Sequence, residues 1–324
     1  MNRNTSHGSN HRLAIVLFSV IAVAFVWRKR SFHLWLAIVT FAVCGGVAEA
    51  EIISNGQPNV NYDGGGAVGD DLLLWLRGDL GFTAGANTDW LDQSNSGFTF
   101  RQTVVASQPS QNLAGLGGQA TIDFDGGDHL AKLAGTLTGY QTTFIVYRDT
   151  STAQWVSPIG SIYNPGAGNN GSSYHGQVND SGIFNVSNTD IKTLNGQNYR
   201  NGADIGNGTT TPRPDSYVID AHIATGPLGG EVLFVGSAEC CGNPPGGRKI
   251  IGGIAEILMY DRALTNDGSN DPVTNEFNAV GWYLQERYNI NGSFLPPPIP
   301  EPSTLTLAAL GLLGLMGFRR RRRR

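Results

Sequence analysis

Three closely spaced aspartates are the first residues in this sequence that could carry chemistry. Asp123, Asp125 and Asp128 surround the pair Gly126-Gly127. Ca²⁺ takes about six to eight oxygen ligands from carboxylates, carbonyls and water, and clustered carboxylates supply such oxygens at short range. The spacing therefore predicts a calcium site. The alternative is that the aspartates only form a turn, through hydrogen bonds between their side chains and the backbone.

Two adjacent cysteines offer redox chemistry. Cys240 and Cys241 are the cysteines that remain once a leader containing Cys44 is removed. Adjacent cysteines either close a strained vicinal disulfide, stay free or pair between chains, and export to an oxidising compartment favours oxidation. Two cysteines without further ligands are too few for a structural zinc site.

Catalytic patterns of the common kinds are missing from the sequence. The G-x-S-x-G string of serine hydrolases does not occur, and His129, His175 and His222 are not spaced as metal ligands. The Gly-rich stretches do not follow the strand-to-helix pattern of a nucleotide-binding loop. We therefore predict that the protein is not an enzyme.

Charge divides the chain into an acidic centre and two basic ends. Residues 51–300 carry 11 Lys/Arg against 24 Asp/Glu, a net charge of −13, whereas residues 319–324 are all Arg. An acidic surface repels the phosphate backbone, so we expect no nucleic-acid partner. Charged residues make up only 15% of the chain and there are 44 glycines, which argues against a coiled coil or a helical bundle.

The amino-terminal end has the pattern of an export signal. Arg28-Lys29-Arg30 precedes the apolar run 34–43, and Ala48-Glu49-Ala50 provides an A-x-A cleavage site. We predict that residues 1–50 are a signal peptide or leader that signal peptidase removes after Ala50. The alternative is a permanent anchor, which would need about 20 apolar residues.

The carboxyl-terminal end has the pattern of a short membrane segment behind a stiff spacer. Residues 295–303 are Pro-rich, and residues 304–324 join an apolar stretch to six Arg. An Arg cluster stays on the cytoplasmic side, so the body is expected outside. The alternative to a processed tail is again a permanent anchor, although roughly fifteen apolar residues span only a thin or deformed bilayer.

This tail resembles the PEP-CTERM sorting signal of Gram-negative bacteria. The motif residues are Pro300, Glu301 and Pro302, followed by the Leu/Gly-rich stretch and the Arg cluster. The resemblance implies that an exosortase recognises and processes the tail while the inner membrane holds it transiently. It also implies delivery to the cell surface or the extracellular matrix.

The body between the two ends is predicted to be all-β. Short runs rich in Val, Ile, Thr, Phe and Tyr alternate with Gly/Asn/Asp/Ser clusters, as half-buried strands joined by turns do. The runs cover residues 72–76, 98–105, 120–124, 143–147, 155–162, 216–224, 232–235 and 254–260. Many short strands with Gly-rich turns favour a sandwich or a barrel.

One helix is predicted at the end of the body. Asp271 suits its N-cap and Pro272 its first position. Apolar residues then recur at helical spacing up to Tyr288, and Asn291-Gly292 can end the helix.

Three stretches resemble LamG-like domains, which have the concanavalin A-like fold. They are residues 72–79 with the W-x-D-x-S string at 90–94, residues 118–130 with an F-D-G turn, and the G-x-I-A-E strand at 253–264 followed by the helix at 275–288. The resemblance implies an antiparallel two-sheet jelly roll over residues 51–294. It also implies that the motif tryptophans Trp75, Trp90 and Trp282 are structural.

The same resemblance implies carbohydrate binding. A glycan site needs aromatic rings beside amides and carboxylates, and the aromatics in or near Asn/Gly-rich segments are Trp155, Tyr163, Tyr174 and Tyr199. The alternative for each is packing in the core or a loop.

Glycan-cleaving relatives carry E-x-D-x-x-E on one strand, where alternation directs the acids into the cleft. That string does not occur here. We therefore predict adhesion, through binding of polysaccharide or matrix at the cell surface. The alternatives are a glycoside hydrolase or lyase acting on exopolysaccharide, and a purely structural envelope protein.

Overall fold

The computed structural model describes the central part of the chain, which consists mostly of strands. The described residues are 53–54, 57–58, 71–152, 156–160, 162–163, 182–186, 189–240, 248–271 and 274–296. By its internal contacts, Ala50–Pro298 is one compact unit. The predicted leader and sorting tail lie outside the described residues.

The strands are short and follow one another closely. In chain order they are β1 (Ile53–Ser54), β2 (Gln57–Pro58), β3 (Leu72–Arg77), β4 (Phe82–Thr83), β5 (Thr88–Leu91), β6 (Thr99–Gln102), β7 (Ser110–Leu116), β8 (Gln119–Asp125), β9 (Leu130–Lys132), β10 (Thr142–Asp149), β11 (Ile159–Gly160), β12 (Ile162–Tyr163), β13 (Gln197–Arg200), β14 (Ala203–Asp204), β15 (Val218–Ile223), β16 (Phe234–Val235), β17 (Glu239–Cys240) and β18 (Ile251–Tyr260). The helices are α1 (Ile191–Leu194) and α2 (Glu276–Tyr288), and Val105–Ser107 forms a 3₁₀ turn.

Two antiparallel sheets form the framework. The larger sheet has the order β14-β13-β15-β10-β18-β8-β7, and β3 also pairs with β18. The smaller sheet has the order β11-β16-β9-β6-β5-β4. Strand β18 pairs with β10 along one edge, and with β8 and then β3 along the other. Among the described strands neither sheet closes on itself, so the architecture is that of two open sheets and not of a barrel.

The central strands of the larger sheet are buried on both faces. An inter-sheet core joins it to the smaller sheet and includes Ile122 and Ile254 from one sheet and Trp90 and Phe100 from the other. Each of these four side chains is 0% exposed. Burial of one such side chain contributes roughly 1.5–3 kcal/mol.

The opposite face of the larger sheet packs against α2. This helix-side core includes Phe144 and Leu258 from the sheet and Phe277, Val280 and Leu284 from the helix. Strands β10, β15 and β18 are consequently buried along nearly their whole length. Their continuous apolar runs are therefore those of a middle layer with neighbours on both sides.

Helix α2 differs from the sequence-based prediction at both ends. Its N-cap is Asn275, whose side chain accepts a hydrogen bond from the Asn278 N–H, and Asp271 lies one turn earlier. The Asp271 carbonyl accepts from the Asn275 N–H and closes a turn before the helix. The helix ends at Asn289, which has a left-handed conformation with φ 51°. Asn tolerates this conformation, so the helix stops before Asn291-Gly292.

Within the described part of the chain, no helix combines the length and the apolar character that crossing a bilayer requires. The membrane segment predicted at residues 304–324 is not among the residues described.

Candidate functional site

The W-x-D-x-S string forms a turn around one carboxylate. Asp92 Oδ1 accepts hydrogen bonds from the Trp75 and Ser94 N–H groups, at 2.8 and 2.9 Å. Its Oδ2 accepts from Ser94 Oγ at 2.7 Å and from the Phe98 N–H at 3.2 Å. Because Asp92 follows β5 and Trp75 lies in β3, this carboxylate ties the two sheets together. Four donors on one carboxylate indicate a structural role.

The G-x-I-A-E strand contains a β-bulge that directs a second carboxylate toward α2. Val146 of β10 pairs with Glu256, but the next residue, Tyr147, pairs with Ile254. Ala255 is therefore the extra residue. The bulge keeps Ile254 in the inter-sheet core while Glu256 faces the helix-side core.

Glu256 is only 1% exposed and is surrounded by hydrogen-bond donors. Trp75 Nε1 donates to Oε1 at 2.6 Å, and the Tyr288 hydroxyl donates to Oε2 at 2.7 Å. The Tyr283 hydroxyl lies 3.2 Å from Oε1, and Arg287 Nε lies 3.6 Å from Oε2. Burial raises the pKa of Glu256, and the hydrogen bonds from Tyr288 and Trp75 oppose that rise.

A series of charged contacts connects the buried Glu256 to Asp79, an exposed residue that follows β3. Arg287 contacts both Glu256 and Asp79, and its Nη2 lies 2.7 Å from Asp79 Oδ2. Arg77 binds Asp79 through two hydrogen bonds of 3.0 and 2.8 Å. Burial alone would raise the pKa of Asp79, but Arg77 and Arg287 together lower it below its ordinary value. We call Glu256, Trp75, Arg77, Asp79, Tyr283, Arg287 and Tyr288 the Glu256 network.

The Glu256 network stabilises the fold. It pairs two carboxylates with two guanidinium groups and joins β3, β18 and α2. A carboxylate that is 1% exposed cannot contact a polymeric substrate. Local sequence patterns do not indicate that Glu256, Asp79, Arg77 and Arg287 lie together. A signal was present, because a Glu inside the otherwise apolar run Ile254–Tyr260 must find partners when it is buried.

The aspartate turn predicted as a calcium site is held by hydrogen bonds of its own. The Gly127 N–H donates to Asp125 Oδ1 at 2.7 Å, and the Asp125 N–H donates to Asp128 Oδ2 at 3.1 Å. Lys249 donates its ammonium group to the Gly127 carbonyl. Gly126 has φ 89°, which allows the chain to reverse here.

The third aspartate is engaged elsewhere. Asp123 accepts from Thr121 Oγ1 at 2.8 Å and from Asn112 Nδ2 at 3.3 Å, on its own strand and on β7. The three carboxylates therefore do not converge on one point. Across the described residues, no group of three or more His, Cys, Asp or Glu side chains is arranged to hold a metal ion. Calcium binding stays a prediction, and a bound ion would have to compete with Lys249.

Asp128 and the neighbouring His129 have shifted pKa values. Burial, and then the neighbouring charge of Asp125, raise the pKa of Asp128 to about 6. Burial, and then the positive charge of Lys249, lower the pKa of His129 to about 4. His129 is therefore neutral at pH 7, and its ring contacts the Gln102 amide at 2.9 Å.

Tyr199 is the predicted glycan-site aromatic whose side chain the structure describes. Its ring is half-buried and packs on Phe277 with centroids 4.9 Å apart. The Tyr199 hydroxyl accepts from Asn266 Nδ2 at 2.8 Å and donates to Gln197 Oε1 at 3.2 Å. Asp204, which is exposed, is its cross-strand partner on β14. An aromatic ring, two amides and a carboxylate thus lie together at the edge of the larger sheet.

The other predicted site residues fall partly or wholly outside the described residues. Trp155, Tyr174 and Cys241 are not described. The backbone of Tyr163 in β12 pairs with that of Cys240 in β17, and their side chains are not described. The sorting residues Pro300, Glu301 and Pro302 also lie outside.

The tail matches a known signal. The family model of the PEP-CTERM protein-sorting motif covers residues 298–323. This confirms the sorting signal, and the chain is an exported protein that an exosortase processes and that is sorted to the cell envelope. Neither a curated protein nor a solved structure was found to match the chain.

Proposed function

We propose that the body is a LamG-like jelly roll that binds glycan or matrix polymer at the cell surface, without catalysis. What supports the LamG-like interpretation is that its motif residues contact one another. Asp92 of the opening turn binds Trp75, Trp75 binds Glu256 of the closing strand, and Glu256 binds the terminal helix. Short strings that are far apart in sequence thus form one connected set of hydrogen bonds.

The arrangement at Tyr199 carries the binding proposal. Polysaccharides present hydroxyl groups and apolar ring faces, which suit an amphipathic aromatic beside amides and a carboxylate. Gln197 and Asp204 are exposed, and Tyr199 and Asn266 are half-buried. Gln197, Tyr199 and Asp204 lie on strands of the larger sheet, and the packing of Tyr199 on Phe277 holds its ring in place.

The absence of catalysis is part of the proposal. Retaining and inverting glycosidases need two carboxyl groups about 5–9.5 Å apart on either side of an accessible bond. Glu256 is buried among its donors, and Asp92 is taken up by four hydrogen bonds. The facing pair Asp125 and Asp128 is used to form a turn beside Lys249.

Retention of the mature protein on immobilised polysaccharides tests the proposal, after a glycan array has chosen the ligands. Tyr199→Ala should weaken binding about tenfold or more, which corresponds to about 1.4 kcal/mol or above for an aromatic anchor. Tyr199→Phe should weaken it less, because it keeps the ring. Tyr217→Phe is the matched control for Tyr199→Phe, since Tyr217 is a half-buried tyrosine directly before β15 that contacts Arg148.

Two other outcomes would overturn the proposal. Failure to bind any glycan or matrix polymer would leave a purely structural envelope protein. Release of sugar fragments from exopolysaccharide would establish a hydrolase or lyase.

A further inference from the structure

The last described residues fold back along α2 and do not leave the body where the helix ends. Ile290 and Phe294 are 8% and 5% exposed, so both are buried in the helix-side core. The Ser293 N–H donates to the Asn201 carbonyl at 2.7 Å. We call residues 289–296 the return segment.

Phe294 fits a notch that a glycine creates in α2. A Cβ added at Gly281 would lie 2.1–2.5 Å from three atoms of the Phe294 ring, which no side chain permits. The same ring packs on Phe277 with centroids 6.0 Å apart. The space left by Gly281 on the helix is therefore filled by the Phe294 ring.

A clasp of hydrogen bonds follows the notch. The Leu295 N–H donates to Asn278 Oδ1 at 2.8 Å, and Asn278 Nδ2 donates to the Leu295 carbonyl at 2.9 Å. Asn270 Nδ2 adds a bond of 3.2 Å to the Pro296 carbonyl. Both backbone groups of Leu295 are thus held by one side chain, and the chain is fixed to the body as far as Pro296.

The clasp shortens the distance that the chain can span before the sorting motif. Four residue steps separate Pro296 from Pro300, which is about 12 Å at the polyproline rise of ~3.1 Å per residue. Were the chain held only to the end of α2, twelve steps from Tyr288 would allow about 37 Å by the same measure. The return segment therefore removes about two thirds of the reach.

We propose that the return segment is a positioning device for sorting. By fixing the exit at Pro296, it leaves only residues 297–299 between the folded body and the sorting motif, and this short spacer limits how far from the body exosortase can meet the motif. Asn278 and Phe294 act as positioning residues, because they set the exit point and do not belong to the motif. This inference does not depend on whether the body binds glycan.

The test is a loss of processing followed by its recovery. The full-length chain is produced in a cell that carries an exosortase, and the mass of the purified protein shows whether Arg319–Arg324 remain. Deleting residues 297–299 keeps Pro296 and its bond from Asn270, and it should bring the motif against the body and stop processing. Adding Asn278→Ala and Phe294→Ser to the shortened chain should release the return segment and restore processing.

Recovery separates positioning from stability, since a change that only destabilised the body would not restore a reaction. Asn278→Ala with Asn270→Ala is a second release variant that keeps the Phe294 ring, and melting curves establish that each body is folded at the assay temperature. Normal processing of the shortened chain would overturn the proposal. The proposal would also be overturned if neither release pair restored processing of the shortened chain although an insertion of three Gly/Ser residues did.

Discussion

Replacing Glu256 by Ala should destabilise the body more than almost any other single substitution of a polar residue. The change removes the acceptor of the Trp75, Tyr288 and Tyr283 hydrogen bonds, at 2.6, 2.7 and 3.2 Å, and leaves these donors buried. It also removes a charge that balances Arg287. Removing one member of a buried network of charges lowers the free energy of unfolding by about 3–5 kcal/mol.

A loss of that size is easily measured. For a body of roughly 250 residues, each kcal/mol moves the melting temperature by about 2–4 °C, so Glu256→Ala should lower it by about 6–20 °C. Tyr288→Phe removes only one donor and should cost about 1–3 kcal/mol. Glu286→Ala is the matched control, because Glu286 is an exposed residue of the same helix and should stay within about 0.5 kcal/mol of the wild type.

The pH dependence gives a second readout of the same carboxylate. Burial raises the pKa of Glu256 above its ordinary value of 4.5, so the folded protein holds this proton more tightly than the unfolded chain. Its contribution to the free energy of unfolding is therefore greatest below pH 4.5 and falls as the pH rises through the folded-state pKa. Glu256→Gln should lack this decline, which urea unfolding at several pH values would reveal. A melting temperature of Glu256→Ala equal to that of Glu286→Ala would contradict the role given to Glu256. So would a free energy of unfolding of Glu256→Gln that declines with rising pH as that of the wild type does.

Three further predictions concern processing, the cysteines and calcium. The mature protein should begin near Glu51 and lack Arg319–Arg324, and an intact mass that includes all six Arg would contradict this. Cys240 and Cys241 should be oxidised in the exported protein, mainly as a disulfide between the two residues and less as disulfides between chains. Labelling of both residues by a thiol reagent without prior reduction would contradict this. If the aspartate turn binds Ca²⁺, a Ca²⁺ concentration 100 times the dissociation constant adds about 2.7 kcal/mol to the free energy of unfolding and raises the melting temperature by several degrees. Mg²⁺ should raise it less, and Asp125→Ala should abolish the effect of Ca²⁺. Identical melting curves in EDTA and in millimolar Ca²⁺ would show that the aspartates only form a turn.

The strands that periodicity and composition predicted are those with at least one buried apolar face. The run 254–260 is the carboxyl-terminal part of β18, and the run 143–147 is the centre of β10. Strands β7 and β13 were not predicted, because their sequences, SQNLAGL and QNYR, are mostly polar or small and contain no continuous apolar run. Strand β7 is an exposed edge strand whose register shifts between Asn112 and Leu116, so backbone pairing alone defines it.

The Glu256 network could not be predicted from local patterns. Trp75 and Glu256 are 181 residues apart, and their meeting depends on the register of β3 against β18. The bulge at Ala255 also depends on pairing with β10, which the residues of β18 do not specify by themselves. The structural role that the LamG-like resemblance implies for Trp75 and Trp90 agrees with their burial, since they are 2% and 0% exposed.

These observations separate the part of the sequence that specifies the fold from the part that can specify a ligand. Asp92 and Glu256 are saturated by donors within the body, so substitutions there change stability before they change recognition. In the proposed binding role, ligand contacts come from surface groups, such as the exposed Gln197 and Asp204 beside Tyr199. Delivery depends on a third part, the tail, which the return segment joins to the body at a fixed point. In that role the exposed Gln197 and Asp204 are the positions where ligand contacts can change at little cost in stability, because they belong neither to the Glu256 network nor to the clasp at Leu295, whereas Tyr199 also packs on Phe277 of the helix-side core.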